Sequence, residues 1–314
     1  YLPIGTRYFN EDGGKIDGVT SNSMGFRCPE FENKKENVFR VVLLGGSGAW
    51  GSGASSNNTT ISGYLEKILN EKFKTGTKKI ECWNLAQINN YISQDLVNAN
   101  LFFNKLKPDL VISYAGWNEM ATSYLLDQKK FKQFRTYFME EVGDVGPMSF
   151  PSYRNKILKK NIYSFLLQYS KIFAFLNKDN RNSSYFDEKK FIDELKLSSS
   201  IFFEHIVKFN LLSKGYKFEY IQFLQPIIYK KKNLTESEKK VVELYNLVRP
   251  VHGGVSFGNF LKQNDLYKFI EEEVKNNNNL NCYNLIDMFK DSNEKVFYTL
   301  VHMTDFGYRS VAEK

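Results

Sequence analysis

Four short clusters in this chain combine residue types that could act on a bound molecule. Gly45-Gly46-Ser47-Gly48-Ala49-Trp50-Gly51 sets a serine hydroxyl among glycines, which let the backbone turn sharply and approach a substrate closely. Asn84-Leu85-Ala86-Gln87-Ile88-Asn89-Asn90 and Gly116-Trp117-Asn118-Glu119 follow, and Val301-His302-Met303-Thr304-Asp305-Phe306-Gly307 stands near the end. A serine hydroxyl and an imidazole are the pair that could carry nucleophilic chemistry, provided the fold brings them together. Of the three histidines, His205 lies in a helical pattern and His252 in a glycine loop, so His302 is the one placed for such a role. Taken singly, the clusters also read as a Gly-Ser turn, an asparagine turn, a helix cap and a surface histidine. Their shared placement, each at a strand end or a helix start, argues for a common site.

The elements that must position them alternate. Phe39 to Leu44 is a β-branched apolar run stopped by Gly45, and Thr60 to Phe73 carries Ile61, Tyr64, Leu65, Ile68 and Leu69 at helical spacing. Lys79 to Leu85 is a second strand, Ser93 to Leu106 a helix with Leu96, Ala99 and Phe103 on one face, and Leu110 to Ala115 a third strand. Lys217 to Leu224 and Cys282 to Ile286 supply the fourth and fifth, Thr235 with Glu238 marks a capping box, and Tyr308 to Glu313 opens a final helix. Strands alternating with helices predict an α/β fold, three layers α/β/α around a central parallel sheet. Ligands bind outside the carboxyl ends of such strands, which is where the four clusters fall.

Residues 1–37, with Gly13, Gly14, Gly18 and Gly25 and no sustained periodicity, read as an extended N-terminal arm on a domain spanning 38–314. Residues 128–214, rich in Phe, Tyr, Lys and Ser, read as a helical insertion with helices over Asn155 to Leu176 and Asp187 to Leu212. Its aromatics, including Tyr163, Phe165, Tyr169, Phe173 and Phe175, are expected to pack as core.

Composition narrows the function classes. With 314 residues, 42% of them hydrophobic, the chain can bury a sizeable core. The net charge of +8 comes from lysines scattered among acids, which reads as a solvated surface and excludes nucleic acid as a partner; anionic glycans or phospholipid headgroups stay open. Three cysteines without CxxC spacing form no metal signature. Apolar runs such as Val41 to Leu44 are far shorter than the roughly 20 residues of a membrane span. The chain starts at Tyr1 and stops in a helical pattern, as an excised part of a longer protein would. Membrane association through a segment outside it stays open, with an extracytoplasmic placement slightly favoured over a cytoplasmic one.

In these clusters the chain resembles the SGNH, or GDSL-type, hydrolases over about residues 38–314 without the insertion. Gly45-Gly46-Ser47 is similar to that family's Gly-Asp-Ser block and Gly116-Trp117-Asn118-Glu119 to its Gly-x-Asn-Asp block. Asn22-Ser23-Met24-Gly25-Phe26-Arg27 and Phe223-Leu224-Gln225-Pro226 resemble members encoded with bacterial surface-polysaccharide genes. The resemblance implies a flavodoxin-like sheet, Ser47 as nucleophile, His302 as its base, and an oxyanion hole from the Ser47 N–H, the Asn118 amide and the Asn89 N–H. It implies a serine esterase for acyl, above all O-acetyl, esters of a glycan or small molecule, needing neither metal nor organic cofactor. O-acetyl transfer through the same acyl-serine, or a degenerate glycan-binding module, are the alternatives. The chain departs from the family at Gly46, Glu119 and Thr299, the last standing three residues before His302 where the family has its acid. Three readings follow: a Ser–His dyad held by a backbone carbonyl, a substitute acid at Asp305 or Asp287, or a site that binds without turnover.

Overall fold

The computed structural model describes residues 18–125, 188–248, 261, 265, 267–277 and 280–314. Five strands, β1 (Val38–Gly45), β2 (Lys79–Asn84), β3 (Leu110–Ala115), β4 (Glu219–Leu224) and β5 (Cys282–Asn284), form one sheet in the order β2-β1-β3-β4-β5. Every pair is parallel, with Leu43 opposite both Asn84 and Ile112. Strand order reverses beside β1, so the switch point of this flavodoxin-like sheet lies between β1 and β3.

Helices cover both faces. The one-turn α1 (Ser47–Trp50), α2 (Ile61–Lys72) and α8 (Asp305–Glu313) lie on one side, where α8 packs on α2 and α2 on β2. On the other, α3 (Ile92–Leu106), α4 (Trp117–Leu125) and α7 (Lys268–Asn276) all pack against the long α5 (Glu188–Tyr216), with α6 (Glu236–Val248) after β4. Alternate strand residues feed the two layers. Val41, Ile80 and Cys82 meet Leu65 and Leu69 of α2, whereas Tyr220 of β4 stacks on Phe209 of α5.

The strands and helix starts follow local chemistry. Thr60 caps α2 by accepting from the Gly63 N–H at 3.1 Å. Thr235 and Glu238 form the expected reciprocal box, with the Thr235 N–H donating to Glu238 at 2.9 Å. The last helix begins three residues earlier than its apolar pattern suggests, because Thr304 caps it. The second insertion helix is observed and runs four residues longer, to Tyr216. The first, Asn155 to Leu176, and the aromatics on it lie outside the described residues. Within the N-terminal segment, Phe26 is fully buried among Phe31 and Phe102. All three cysteines are free thiols.

Candidate active site

The turn after β1 brings the serine into place. Gly45 has φ +136°, and a Cβ there would sit 2.2 Å from the Tyr114 carbonyl oxygen, so β1 can end against β3 only as glycine. Gly46 caps α1, and Ser47 is the first residue of that helix, buried. The carboxyl end of α1 is held by Arg27, whose guanidinium donates to the Gly51 carbonyl at 2.9 Å and to Asn57 at 2.7 Å and lies over the Trp50 ring. The Asn22 to Arg27 segment thereby clamps the helix that carries Ser47. Burial pulls the Arg27 pKa down to about 10.

His302 comes from the opposite end of the chain. Phe297 and Met303 pair across a tight loop, in which the Tyr298 N–H donates to the His302 carbonyl at 2.8 Å. The loop is anchored from below by Glu238, which accepts from the Val296 and Phe297 N–H groups at 2.9 and 3.0 Å. This presents His302 Nε2 at 2.7 Å from Ser47 Oγ, a hydrogen bond between residues 255 apart in sequence. Desolvation lowers the His302 pKa, so its neutral, proton-accepting form is favoured.

The asparagine clusters converge on the same turn. Asn118, at the start of α4, donates through Nδ2 to the Asn90 carbonyl at 2.8 Å. A Cβ on Gly46 would lie 2.5 Å from that same Nδ2, so glycine at this position leaves the space Asn118 occupies. Asn89, exposed, precedes the buried Asn90 in the loop after β2 and has φ +60°, a left-handed conformation that asparagine tolerates better than most residues.

Thr299, Asp305 and Asp287 have other partners or face solvent. Thr299 turns its hydroxyl to the backbone, accepting from the His302 N–H at 3.2 Å and the Val301 N–H at 3.4 Å. Asp305 accepts from the Ser55 N–H at 2.9 Å and from the Ser55 hydroxyl. Asp287 is exposed in the turn after β5. Among the described residues none accepts a hydrogen bond from His302 Nδ1, which leaves no carboxylate or carbonyl in the orienting position. His205 bonds the Ile201 carbonyl of its own helix, and His252 lies outside the described residues. No group of three or more His, Cys, Asp or Glu side chains able to hold a metal occurs among the described residues.

Two buried carboxylates lie beneath the site; sequence reasoning named Glu119 without a role and missed Asp95. Glu119 bridges the two asparagine clusters by accepting from the Ile92 N–H at 2.8 Å and the Gly116 N–H at 3.1 Å. Asp95, fully buried on α3, accepts from the Asn90 side chain. The signal was present: Asp95 falls on the Ile92, Ala99, Phe103 face of α3, where a carboxylate has no business without a partner.

Strand order and connections define a doubly wound α/β protein, with a serine and a histidine paired outside the carboxyl end of β1. No family model matches the sequence, and no curated relative matches it. Among solved structures it is similar to the acetyl xylan esterase AlAXEase (12% identity, 88% of this chain and 96% of that chain covered, TM-score 0.40). An acetyl xylan esterase variant from Geobacillus stearothermophilus gives 13% identity, 87% and 91% coverage and a TM-score of 0.40. A GDSL-like lipase from Bacteroides thetaiotaomicron gives 14%, 87% and 84%, and 0.37. Likeness at this level adds nothing to the strand order and the Ser47 contact, on which the functional reading rests.

Proposed function

We propose that the protein is an SGNH-type serine esterase that removes acyl groups, O-acetyl above all, from a glycan or related small ester. The single observation that carries this is the 2.7 Å contact between Ser47 Oγ and His302 Nε2 at the carboxyl end of a parallel strand. Ser47 attacks the acyl carbonyl carbon while Nε2 takes its proton, which a neutral imidazole can do and a charged one cannot. The negative oxygen that forms is met by the Ser47 and Asn89 N–H groups and the Asn118 amide. Collapse expels the alcohol, which receives its proton from His302, and a water then releases the acyl group from Ser47. An acceptor hydroxyl in place of that water would make the same site an O-acetyltransferase.

A second reading, a glycan-binding module without turnover, is favoured by one observation, the absence of an acceptor at His302 Nδ1 among the described residues. Purified protein on a chromogenic acetyl ester, with and without a sugar acceptor, separates the readings. Release of the chromophore that Ser47→Ala abolishes supports the enzyme, acetylated sugar identifies transfer, and no release with either partner favours the module.

A further inference from the structure

The proposed oxyanion donor does not stand alone. Asn118 Nδ2 reaches the Asn90 carbonyl at 2.8 Å, and the Asn90 side chain in turn donates to Asp95 Oδ1. Asp95 is fully buried in the first turns of α3, and its Oδ2 is without a hydrogen-bond partner. Burial and the neighbouring Glu119 carboxyl push the Asp95 pKa well up, while the Gly45 N–H and the Asn90 amide pull it down. A buried carboxyl at that cost, bonded to the Asn90 side chain, does more than fill a core position. The resemblance gives loop support to an aspartate where this chain has Gly46, and Gly46 has no room for one beside Asn118.

We infer that Asp95 is the positioning residue of the oxyanion arm, fixing Asn90 and through its carbonyl the Asn118 amide. The inference rests on the esterase reading above. Asp95 touches no substrate; it acts by holding Asn90 in the one orientation that presents its carbonyl to Asn118. Asn90→Ala breaks the same link from the other side and leaves a backbone carbonyl that Asp95 no longer orients.

The test is a double-mutant cycle on the hydrolysis of a chromogenic acetyl ester. Asp95→Leu, which removes the acceptor at similar volume, should lower kcat by about tenfold with KM nearly unchanged, a fraction of the 10²–10³ expected for an oxyanion donor itself. In an Asn118→Ala background, Asp95→Leu should cost almost nothing more, because the group it positions is gone. A merely structural role would instead multiply the two losses, and that result overturns the inference while leaving the esterase reading intact. If Asp95→Leu fails to fold, Asn90→Ala and its combination with Asn118→Ala give the same comparison, with circular dichroism melting as the check on the fold. A wild-type protein that neither hydrolyses the ester nor reacts with a serine-directed phosphonate overturns the reading and this inference together.

Discussion

His302 decides how this site differs from a triad. An imidazole beside a carboxylate has its charged form favoured, and its pKa rises; here burial is the acting influence, and the pKa falls below the ordinary 6.5. Because the base must be neutral to accept the Ser47 proton, kcat/KM should rise with pH through a midpoint below that of an ordinary histidine. Thr299→Asp, placing an acid three residues before His302, should move that midpoint upward and raise turnover. A pH profile of both proteins checks this, and a wild-type midpoint above 6.5 would show that an acid is already at work. Asp305→Asn and Asp287→Asn should leave turnover nearly unchanged, since the first carboxylate serves Ser55 and the second faces solvent. Asn118→Ala should cost about 10² or more in kcat if its amide meets the oxyanion, against about 1 kcal/mol of stability alone if it only ties α4 to the Asn90 carbonyl.

At the scale of elements, the turn between β1 and α1 and the loop after β2 are built against each other. Gly46→Ala would drive a methyl into the Asn118 amide, so turnover should fall by about 10² while the melting temperature moves little. Asn89→Gly should keep activity and stability, whereas Asn89→Val should lose about 1–2 kcal/mol to the left-handed backbone, measured by denaturant melts. The elements themselves were legible from sequence because apolar periodicity and threonine caps report local physics. The exact start of α8 was not, since Thr304 sits inside a run without clear periodicity. Ser47 and His302 were legible as types at strand ends, whereas the role of Asp95 depends on which face of α3 meets the turn, a fact of packing. The placement of Asp305 also depends on Ser55, 250 residues away in sequence.

The whole molecule holds the two halves of the site in register across the chain. Lys231 and Glu238 form an ion pair at 2.6 Å with both side chains fully buried, and Glu238 also holds the Val296 and Phe297 N–H groups before the His302 loop. Lys231→Met leaves an uncompensated buried carboxylate and should destabilise the protein by about 3–5 kcal/mol, read as a lowered melting temperature. Ser47→Ala, at the site itself, should cost little stability. This buried pair thus helps place the base against the serine, and the proposed activity requires that serine to be nucleophilic. The direct measurement is labelling with a serine-directed phosphonate followed by intact mass and peptide mapping. A single adduct on Ser47, slowed severely by His302→Ala and absent from Ser47→Ala, is the predicted result; an adduct elsewhere, or none, would contradict it.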